Sequence, residues 1–329
     1  MSKTFRTLAA GAAVALASFA AVAAGKYPFD PVSMVVPYPA GGVGDTTGRI
    51  FSDAMGKPLD THVVVENVGG AAGAIGAAKV LNAQPDGSIF FQGSQNELIL
   101  APMINHAIRY KATDFQAVQP VTVTPLVLMT RADLPASNVA EFVELARKRG
   151  EKQSLTYGTT GVGSLYHLVT ARLGKAADIP LTHVPYKGGA PIIQDLIGGQ
   201  IDFTIIAYQT SMKDLADQGR VKILAIFSKD NKPRSLADMP SISDTPVFHD
   251  FDYASYVGYY VKKGTSPGIV QQLNTALGKA LQDPGVIRKI EADGRSVLKP
   301  GSVADAEAFY DGEIRKYDEI VKTLNLTFE

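Results

Sequence analysis

Hydrophobic positions along the chain alternate between short β-branched runs and longer segments with helical spacing. This alternation is typical of an α/β architecture with parallel strands. The predicted strands cover residues 32–38, 62–66, 88–92, 125–130, 155–157, 181–184, 201–207, 221–227 and 256–261. Helical spacing is clearest in residues 71–81, 164–173, 269–281 and 309–324.

The pattern restarts near residue 155, so we predict two α/β units. Each unit opens with a strand, a glycine-rich turn and a helix. A chain of 329 residues is also long for a single domain. We predict that domain 1 comprises residues 25–122 and 253–329, and that domain 2 comprises residues 123–252. The chain would return to the first domain after a stretch interrupted by prolines.

Residues 1–24 have the pattern of a secretory signal peptide. Lys3 and Arg6 precede an uncharged run, residues 8–20, that is rich in alanine. This run is shorter than the approximately 20 apolar residues of a membrane-spanning helix. Ala21-Val22-Ala23 matches an A-x-A cleavage site. We therefore expect export to the periplasm with cleavage near Ala23 or Ala24.

Composition and charge exclude several classes of function. Lys plus Arg equals Asp plus Glu at 32 each, and no basic stripe is present, so a nucleic-acid partner is not expected. The absence of cysteine excludes disulfides, thiolate metal sites and cysteine catalysis. The five histidines lack metal-ligand spacing, and no nucleophile elbow, zincin or Walker A motif occurs. We predict a protein that is not an enzyme and that needs no cofactor or metal.

The strongest local feature is the loop PYPAGGVGD, residues 37–45, directly after the first strand. Its glycines allow backbone N–H groups to converge on one point, and the helix that follows adds a partial positive charge. Such a nest suits a carboxylate or a phosphate. A tight strand-to-helix turn with Asp45 as a cap explains the same motif equally well.

A matching loop, residues 157–167, follows the first strand of the second unit and also opens a helix. Ser164 is the predicted N-cap, and His167 falls in the first turn. His167 is included among the candidate ligand-binding residues, although by itself a structural role is favoured for it. Ligands of open α/β sheets bind beyond the carboxyl ends of the strands, so both loops would face one cleft. The hydroxyl groups that this loop offers to a ligand belong to Thr159, Thr160 and Ser164. Other candidates that follow strands are Gln95, Asn96, Tyr186 and Gln209.

A nucleotide-binding enzyme is the alternative. Gly42, Gly44 and Gly48 follow a strand, and Glu66 ends the next strand. In dinucleotide-binding folds an acidic residue about 20 residues after the glycines binds the ribose, and Glu66 lies near that distance. Residues 38–40 separate the strand from the glycines, however, whereas in a dinucleotide-binding fold the glycine-rich turn follows the strand directly. The signal peptide also directs the chain away from the cytoplasmic cofactor pool.

Several motifs together resemble the substrate-binding proteins of the tripartite tricarboxylate transporter family, also called Bug receptors. The resemblance extends from about residue 27 to about residue 298. The order and spacing of the motifs make it specific. The motifs are VVPYPAGGVGD at 35–45, VVEN at 64–67, GGAAG at 69–73, YGTTGVGS at 157–164 and HVPYKGG at 183–189.

The resemblance implies a two-domain, hinged α/β receptor of the periplasmic binding type, close to type II, with the ligand in a cleft between the domains. Family members bind small carboxylates, including amino acids, di- and tricarboxylates and aromatic acids. The partners it implies are membrane transporter subunits or a sensor kinase, and the receptor is expected to be a monomer. By likeness the first clamp is Ala40, Gly41, Gly42 and Asp45, with Tyr38 beside it, and the second is Thr159, Thr160, Gly161, Gly163 and Ser164.

Overall fold

The computed structural model describes residues 26–230 and 232–324. The predicted signal peptide, with its cleavage site near Ala23 or Ala24, lies outside the described residues. The strands are β1 (Val32–Val36), β2 (Val63–Asn67), β3 (Ile89–Gly93), β4 (Phe115–Arg131), β5 (Leu155–Thr159), β6 (Leu181–Pro185), β7 (Phe203–Ala207), β8 (Val221–Ile226), β9 (Ala254–Lys262) and β10 (Ser296–Val297). The α-helices are α1 (Val43–Leu59), α2 (Ala74–Asn82), α3 (Ala101–Ile104), α4 (Val139–Arg149), α5 (Leu165–Ala177), α6 (Gly189–Ile197), α7 (Thr210–Asp217), α8 (Pro267–Ala280), α9 (Pro284–Glu291) and α10 (Val303–Leu324).

Two sheets organise the molecule. The first has the order β2-β1-β3-β9-β4, with β10 also paired to β4. The second has the order β4-β7-β5-β6, with β8 also paired to β4. The pairs around β1 and β5 are parallel, as predicted, but every pair made by β4 or β9 is antiparallel. The sheets are therefore mixed rather than wholly parallel, in a two-domain α/β fold.

Strand β4 belongs to both sheets, which the predicted strand over residues 125–130 did not anticipate. From Phe115 to Pro125 it pairs with β9, and from Leu126 to Arg131 it pairs with β7 and β8. The returning chain runs beside this crossing point, because the Leu126 N–H donates to the Tyr253 carbonyl at 3.4 Å. The two domain crossings are therefore adjacent. The exact domain boundaries stay a prediction.

Aromatic side chains fill the core under each sheet. In the first, Tyr259 makes T-shaped contacts with Phe51 from α1 and Phe90 from β3, with ring centroids 5.6 and 5.9 Å away. In the second, Phe142 of α4 meets Phe203 of β7 at 4.9 Å. All five rings are buried, and burying a large side chain contributes roughly 1.5–3 kcal/mol. These contacts hold the strand ends, and hence the loops after them, in fixed positions.

A buried helical segment after β3 was not predicted. A π-helical stretch, Asn96–Leu100, continues directly into α3. Its residues Leu98, Ile99 and Leu100 are consecutive and fully buried, so no amphipathic period marks the segment in the sequence. It lies between the two domains, where Ile104 contacts the loop before α5.

A candidate anion-binding cleft between the two domains

The loop after β1 leads into α1, whose N-terminus has no side-chain cap. Gly41 has φ +80°, a left-handed conformation that favours glycine, and Gly42 occupies the N-cap position of α1 with φ −83°. The first N–H groups of a helix have no acceptor within the helix, and Gly42 has no side chain that caps them. The start of α1 therefore presents open backbone donors and the positive end of the helix dipole.

Asp45 closes this loop from inside the first turn of α1. Its Oδ2 accepts the Gly41 N–H at 2.9 Å and the Arg49 Nε–H at 3.1 Å, and Arg49 Nη2 lies 3.0 Å from its Oδ1. Arg49, the Gly41 N–H and Asn67 hold the pKa of the Asp45 carboxyl below its usual value. The carboxylate is thus balanced by Arg49 and braces the loop by binding the Gly41 N–H, which precedes the helix, while the N-cap position itself belongs to Gly42.

Tyr38 connects the same loop to a buried acid that the sequence analysis missed. Its hydroxyl donates to Glu97 Oε2 at 2.9 Å, and the Ser94 hydroxyl donates to the same oxygen at 2.9 Å. The Ser94 N–H donates to the other carboxylate oxygen. Burial raises the pKa of Glu97 to about 7, although these donors favour the charged form. The S-x-x-E spacing of Ser94 and Glu97 is a capping-box pattern and was the available signal.

The loop between β5 and α5 satisfies most of its own polar groups. Thr159 Oγ1 and Ser164 Oγ donate to the Gly161 carbonyl at 3.1 and 2.9 Å, and Ser164 Oγ also accepts the His167 N–H at 3.3 Å. The Gly163 N–H donates to His167 Nδ1 at 3.1 Å. Within the described residues the Thr160 hydroxyl has no hydrogen-bond partner, so it is the group best placed to serve a ligand.

Two stacked histidines support this second loop. The rings of His167 and His183 are 4.0 Å apart and nearly parallel at 9°, and Tyr157 stacks on His183 at 5.1 Å. His183 Nε2 also forms a hydrogen bond with Thr159 Oγ1 at 2.6 Å. Burial, with a smaller repulsion from His183, lowers the pKa of His167 to about 4, and burial also lowers the pKa of His183. Both rings are therefore neutral at pH 7.

The segment after β3 brings the two loops together. Asn96 Oδ1 accepts the N–H of Leu165, the first residue of α5, at 2.9 Å. Burial is the main cause that raises the pKa of the Tyr38 hydroxyl, followed by the charge of Glu97, and Tyr166, the residue after Leu165, makes a minor contribution. The first loop, the acid and the start of α5 therefore form one continuous wall of the cleft.

Of three other predicted ligand residues, two direct their side-chain polar groups to other parts of the protein, and the third precedes a helix. Gln95 is fully buried; its Nε2 donates to the Ala254 carbonyl at 2.8 Å and its Oε1 accepts the Tyr256 N–H at 3.2 Å. The Tyr186 hydroxyl donates to Asp195 at 2.6 Å. Gln209 precedes α7 and is half-buried, and its carbonyl accepts the Met212 N–H at 2.9 Å. Their roles toward a ligand stay predictions.

The glycines of the nucleotide-binding alternative serve helix packing. Gly44 and Gly48 lie inside α1, where an added Cβ would come within 2.9 Å of the Tyr38 ring and 2.8 Å of Val36. Glu66 is already bound to Lys79 and Ser33. The glycine motif therefore reflects close contact between α1 and β1 rather than a pyrophosphate turn.

Neither a metal site nor a membrane span is found in the described part of the chain. Residues 26–230 and 232–324 contain no group of three or more His, Asp or Glu side chains that could hold a metal ion. In the same ranges no helix has the length and apolar character needed to cross a membrane.

The fold and the two facing loops define the class of periplasmic binding proteins. The sequence profile of the tripartite tricarboxylate transporter family receptor matches residues 47–326, and the chain belongs to this family. It is accordingly a solute-binding receptor by family, and the nucleotide-binding alternative is wrong.

Relatives cover nearly the whole chain. A protein encoded in the tcbD-tcbE intergenic region of Pseudomonas sp. strain P51 is 30% identical over 292 residues, 88% of this chain and 85% of its own length. BugT of Bordetella pertussis is 28% identical over 316 residues, 95% of each chain.

Solved structures share the fold. R. palustris Rpa4515 with adipate aligns with a TM-score of 0.81 at 27% identity, covering 91% of this chain and 99% of its own. The periplasmic binding protein BugD aligns at 0.80 and 29% identity, covering 92% and 100%. MatC from Rhodopseudomonas palustris with bound malate aligns at 0.79 and 25% identity, covering 90% and 100%.

Proposed function

We propose that this receptor captures a small carboxylate between the start of α1 and the loop before α5. The observation that carries the proposal is the uncapped N-terminus of α1 at Gly42. A carboxylate there would accept the open first-turn N–H groups, each charged hydrogen bond contributing roughly 1.5–3 kcal/mol. The helix dipole adds about 0.3–1 kcal/mol.

The second domain would supply fewer direct donors than the sequence suggested. Thr160 has an unused hydroxyl, while Thr159, Gly161, Gly163 and Ser164 bind one another or His167. We therefore infer that this loop acts as a rigid wall with one polar contact. The adipate and malate in the names of two structural relatives support a dicarboxylate, whose second carboxylate would reach this wall.

The receptor would be exported, cleaved near Ala23 or Ala24, and act as a monomer that does not turn its ligand over. Domain closure about the crossings at Pro125 and Tyr253 would enclose the ligand. A ligand stabilises a closed state only through contacts that the open state lacks. Simultaneous hydrogen bonds from donors of both domains would be such contacts, because they require the domains to be close together. The closed form would then dock on membrane transporter subunits or a sensor kinase.

A thermal-shift screen of mono-, di-, tri- and aromatic carboxylates identifies the ligand, because a bound ligand stabilises the folded state by RT ln(1 + [L]/Kd). The sharper test is Gly42→Asp, with Gly42→Asn as its neutral control. The backbone at Gly42 suits any residue, and both side chains are good N-caps. Only Gly42→Asp places a negative charge at the proposed anion site.

We expect Gly42→Asp to melt no lower than wild type yet to bind the identified acid at least about tenfold more weakly, a loss of 1.4 kcal/mol. Gly42→Asn should lose less, because its amide competes only for the N–H groups. Equal calorimetric affinities of wild type and Gly42→Asp would refute the anion site. Turnover of the acid by the purified protein would refute the receptor role.

A further inference from the structure

A second concave surface lies on the first domain, outside the cleft. It is an open groove of about 880 Å³ between α2, the loop at residues 107–110 and the end of β9. Its floor is apolar. Ile75, on the α2 side, leaves 53% of its surface exposed, an unusual amount for a large aliphatic residue. The other apolar residues that line the groove include Ala74, Ala78, Leu81, Ile108 and Tyr110.

The rim of this groove is basic. Lys79, Arg109, Lys262 and Lys263 line it, against one acid, Asp114. The chain as a whole has equal numbers of basic and acidic residues, so the excess is local. The Asp114 carboxylate accepts the Lys111 N–H at 2.8 Å, so it stabilises the turn in which it lies.

Two of the four cations are already engaged and two are not. Lys79 pairs with Glu66, and Lys262 donates to the Ala83 carbonyl at 2.9 Å. Arg109 and Lys263 are exposed and, within residues 26–230 and 232–324, their side chains have no ion pair or hydrogen bond. The positive potential of the groove is therefore available to an outside partner.

We propose that this basic groove docks an acidic amphipathic helix of a partner protein. The apolar floor would take the hydrophobic face of the helix, and the basic rim would take carboxylates on either side of that face. The nine residues of α2 give the groove a length of about 13 Å, which matches two to three turns of a docked helix. The alanines of α2 allow that helix to approach closely.

A small amphipathic acid fits these features less well. Small-molecule sites bury roughly 70–90% of their ligand. This groove is open along α2, and its free cations stand on the outer rim rather than at the end of an enclosed pocket. Charges in that position attract an extended partner and govern its association rate and salt dependence.

The test uses fluorescence anisotropy with a labelled synthetic helix of about 18 residues, long enough to form in water. The probe carries leucines at i, i+3, i+4 and i+7, with glutamates on both flanks. A second probe replaces the glutamates with lysines. We expect only the acidic probe to bind the full-length mature protein, and more weakly at about 500 mM than at about 50 mM salt. Equal binding of both probes, or no binding of either, overturns the proposal.

Variants locate the binding. Arg109→Glu with Lys263→Glu should weaken the acidic probe at least about tenfold, a change of 1.4 kcal/mol. Ala78→Trp should do the same by filling the floor without changing charge. The matched control, Lys148→Glu with Lys289→Glu, reverses two exposed lysines elsewhere and should leave affinity unchanged. Melting curves confirm that each variant is folded.

A loss of affinity in the control equal to that in the double groove variant would show non-specific charge attraction and overturn the proposal. Binding of dodecanoate, seen as NMR shifts confined to α2 and residues 107–110, would also overturn it if the acidic probe causes no such shifts. The cleft is not involved, so these results are independent of the carboxylate-binding proposal.

Discussion

Asn96 caps a helix that belongs to the other domain: its Oδ1 accepts the N–H of Leu165 at 2.9 Å, across the boundary between the two sheets. The bond satisfies one of the four open N–H groups at the start of α5. In the proposed closure motion this bond would form only while the two domains are close together, so we expect it to stabilise the closed arrangement.

We expect Asn96→Ala to favour the open arrangement. An ordinary hydrogen bond contributes about 0.5–1.5 kcal/mol, so ligand affinity measured by calorimetry should fall roughly threefold to tenfold. Small-angle scattering of the ligand-free variant should give a larger radius of gyration than wild type. Asn105→Ala is the control, since Asn105 Oδ1 accepts the N–H of Ala107, two residues away, at 2.9 Å. If both variants bind equally well, the interdomain bond has no role in closure.

The two glycine-rich loops could be predicted because their signals are local. A β-branched run ends, glycines follow, and a helical period begins, so β1 with α1 and β5 with α5 were found near their true positions. The same holds for Ser164, whose N-cap role depends only on the three residues after it.

The wall behind the loops could not be predicted in the same way. Asn96 meets a partner 69 residues away, and Gln95 meets the chain 159 residues away, so neither contact is encoded in neighbouring residues. The antiparallel placement of β9 between β3 and β4 has the same origin. The internal hydrogen bonds of the loop before α5 also could not be told from ligand contacts, because hydroxyls and N–H groups suit both.

Glu97 should make the protein less stable as the pH rises. Its pKa is about 7 when folded, against about 4.3 in an unfolded chain. Between these values the folded state holds a proton that the unfolded state has lost, so stability falls from pH 4.5 to pH 7.5. The cost is up to roughly 4 kcal/mol.

Urea denaturation at several pH values tests this against Glu97→Gln, which cannot titrate. The free energy of unfolding of wild type minus that of the variant should decrease toward high pH. Glu144→Gln, at an exposed position on α4, is the control and should give a constant difference. A difference that stays constant for Glu97→Gln as well would mean that the buried carboxyl titrates normally.

His167 should have the opposite effect to Glu97 and make the protein less stable as the pH falls. Its pKa is about 4 when folded, against about 6.5 unfolded, so below pH 6.5 the unfolded state binds a proton that the folded state does not. Stability is complete above pH 6.5 and is lost as the pH falls toward 4, by up to roughly 3 kcal/mol. His167→Asn keeps an acceptor for the Gly163 N–H and should remove this loss. The exposed His106→Asn serves as control; a steep acid loss that persists in His167→Asn would assign the effect to other groups.

Gly163 is constrained by its positive φ and by a close neighbour, whereas Gly161 is constrained by its positive φ alone. Both have positive φ, at +78° and +129°, but only at Gly163 would an added Cβ meet the other domain, 3.1 Å from Ile104 Cγ2. Backbone strain costs about 1–3 kcal/mol at either position, and crowding adds about 1–3 kcal/mol at Gly163. We therefore expect Gly163→Ala to lower the free energy of unfolding more than Gly161→Ala does. A double-mutant cycle with Ile104→Ala separates the terms, because removing Ile104 should relieve Gly163→Ala and leave Gly161→Ala unchanged. Equal coupling in both cycles would show that the two domains do not meet at Gly163.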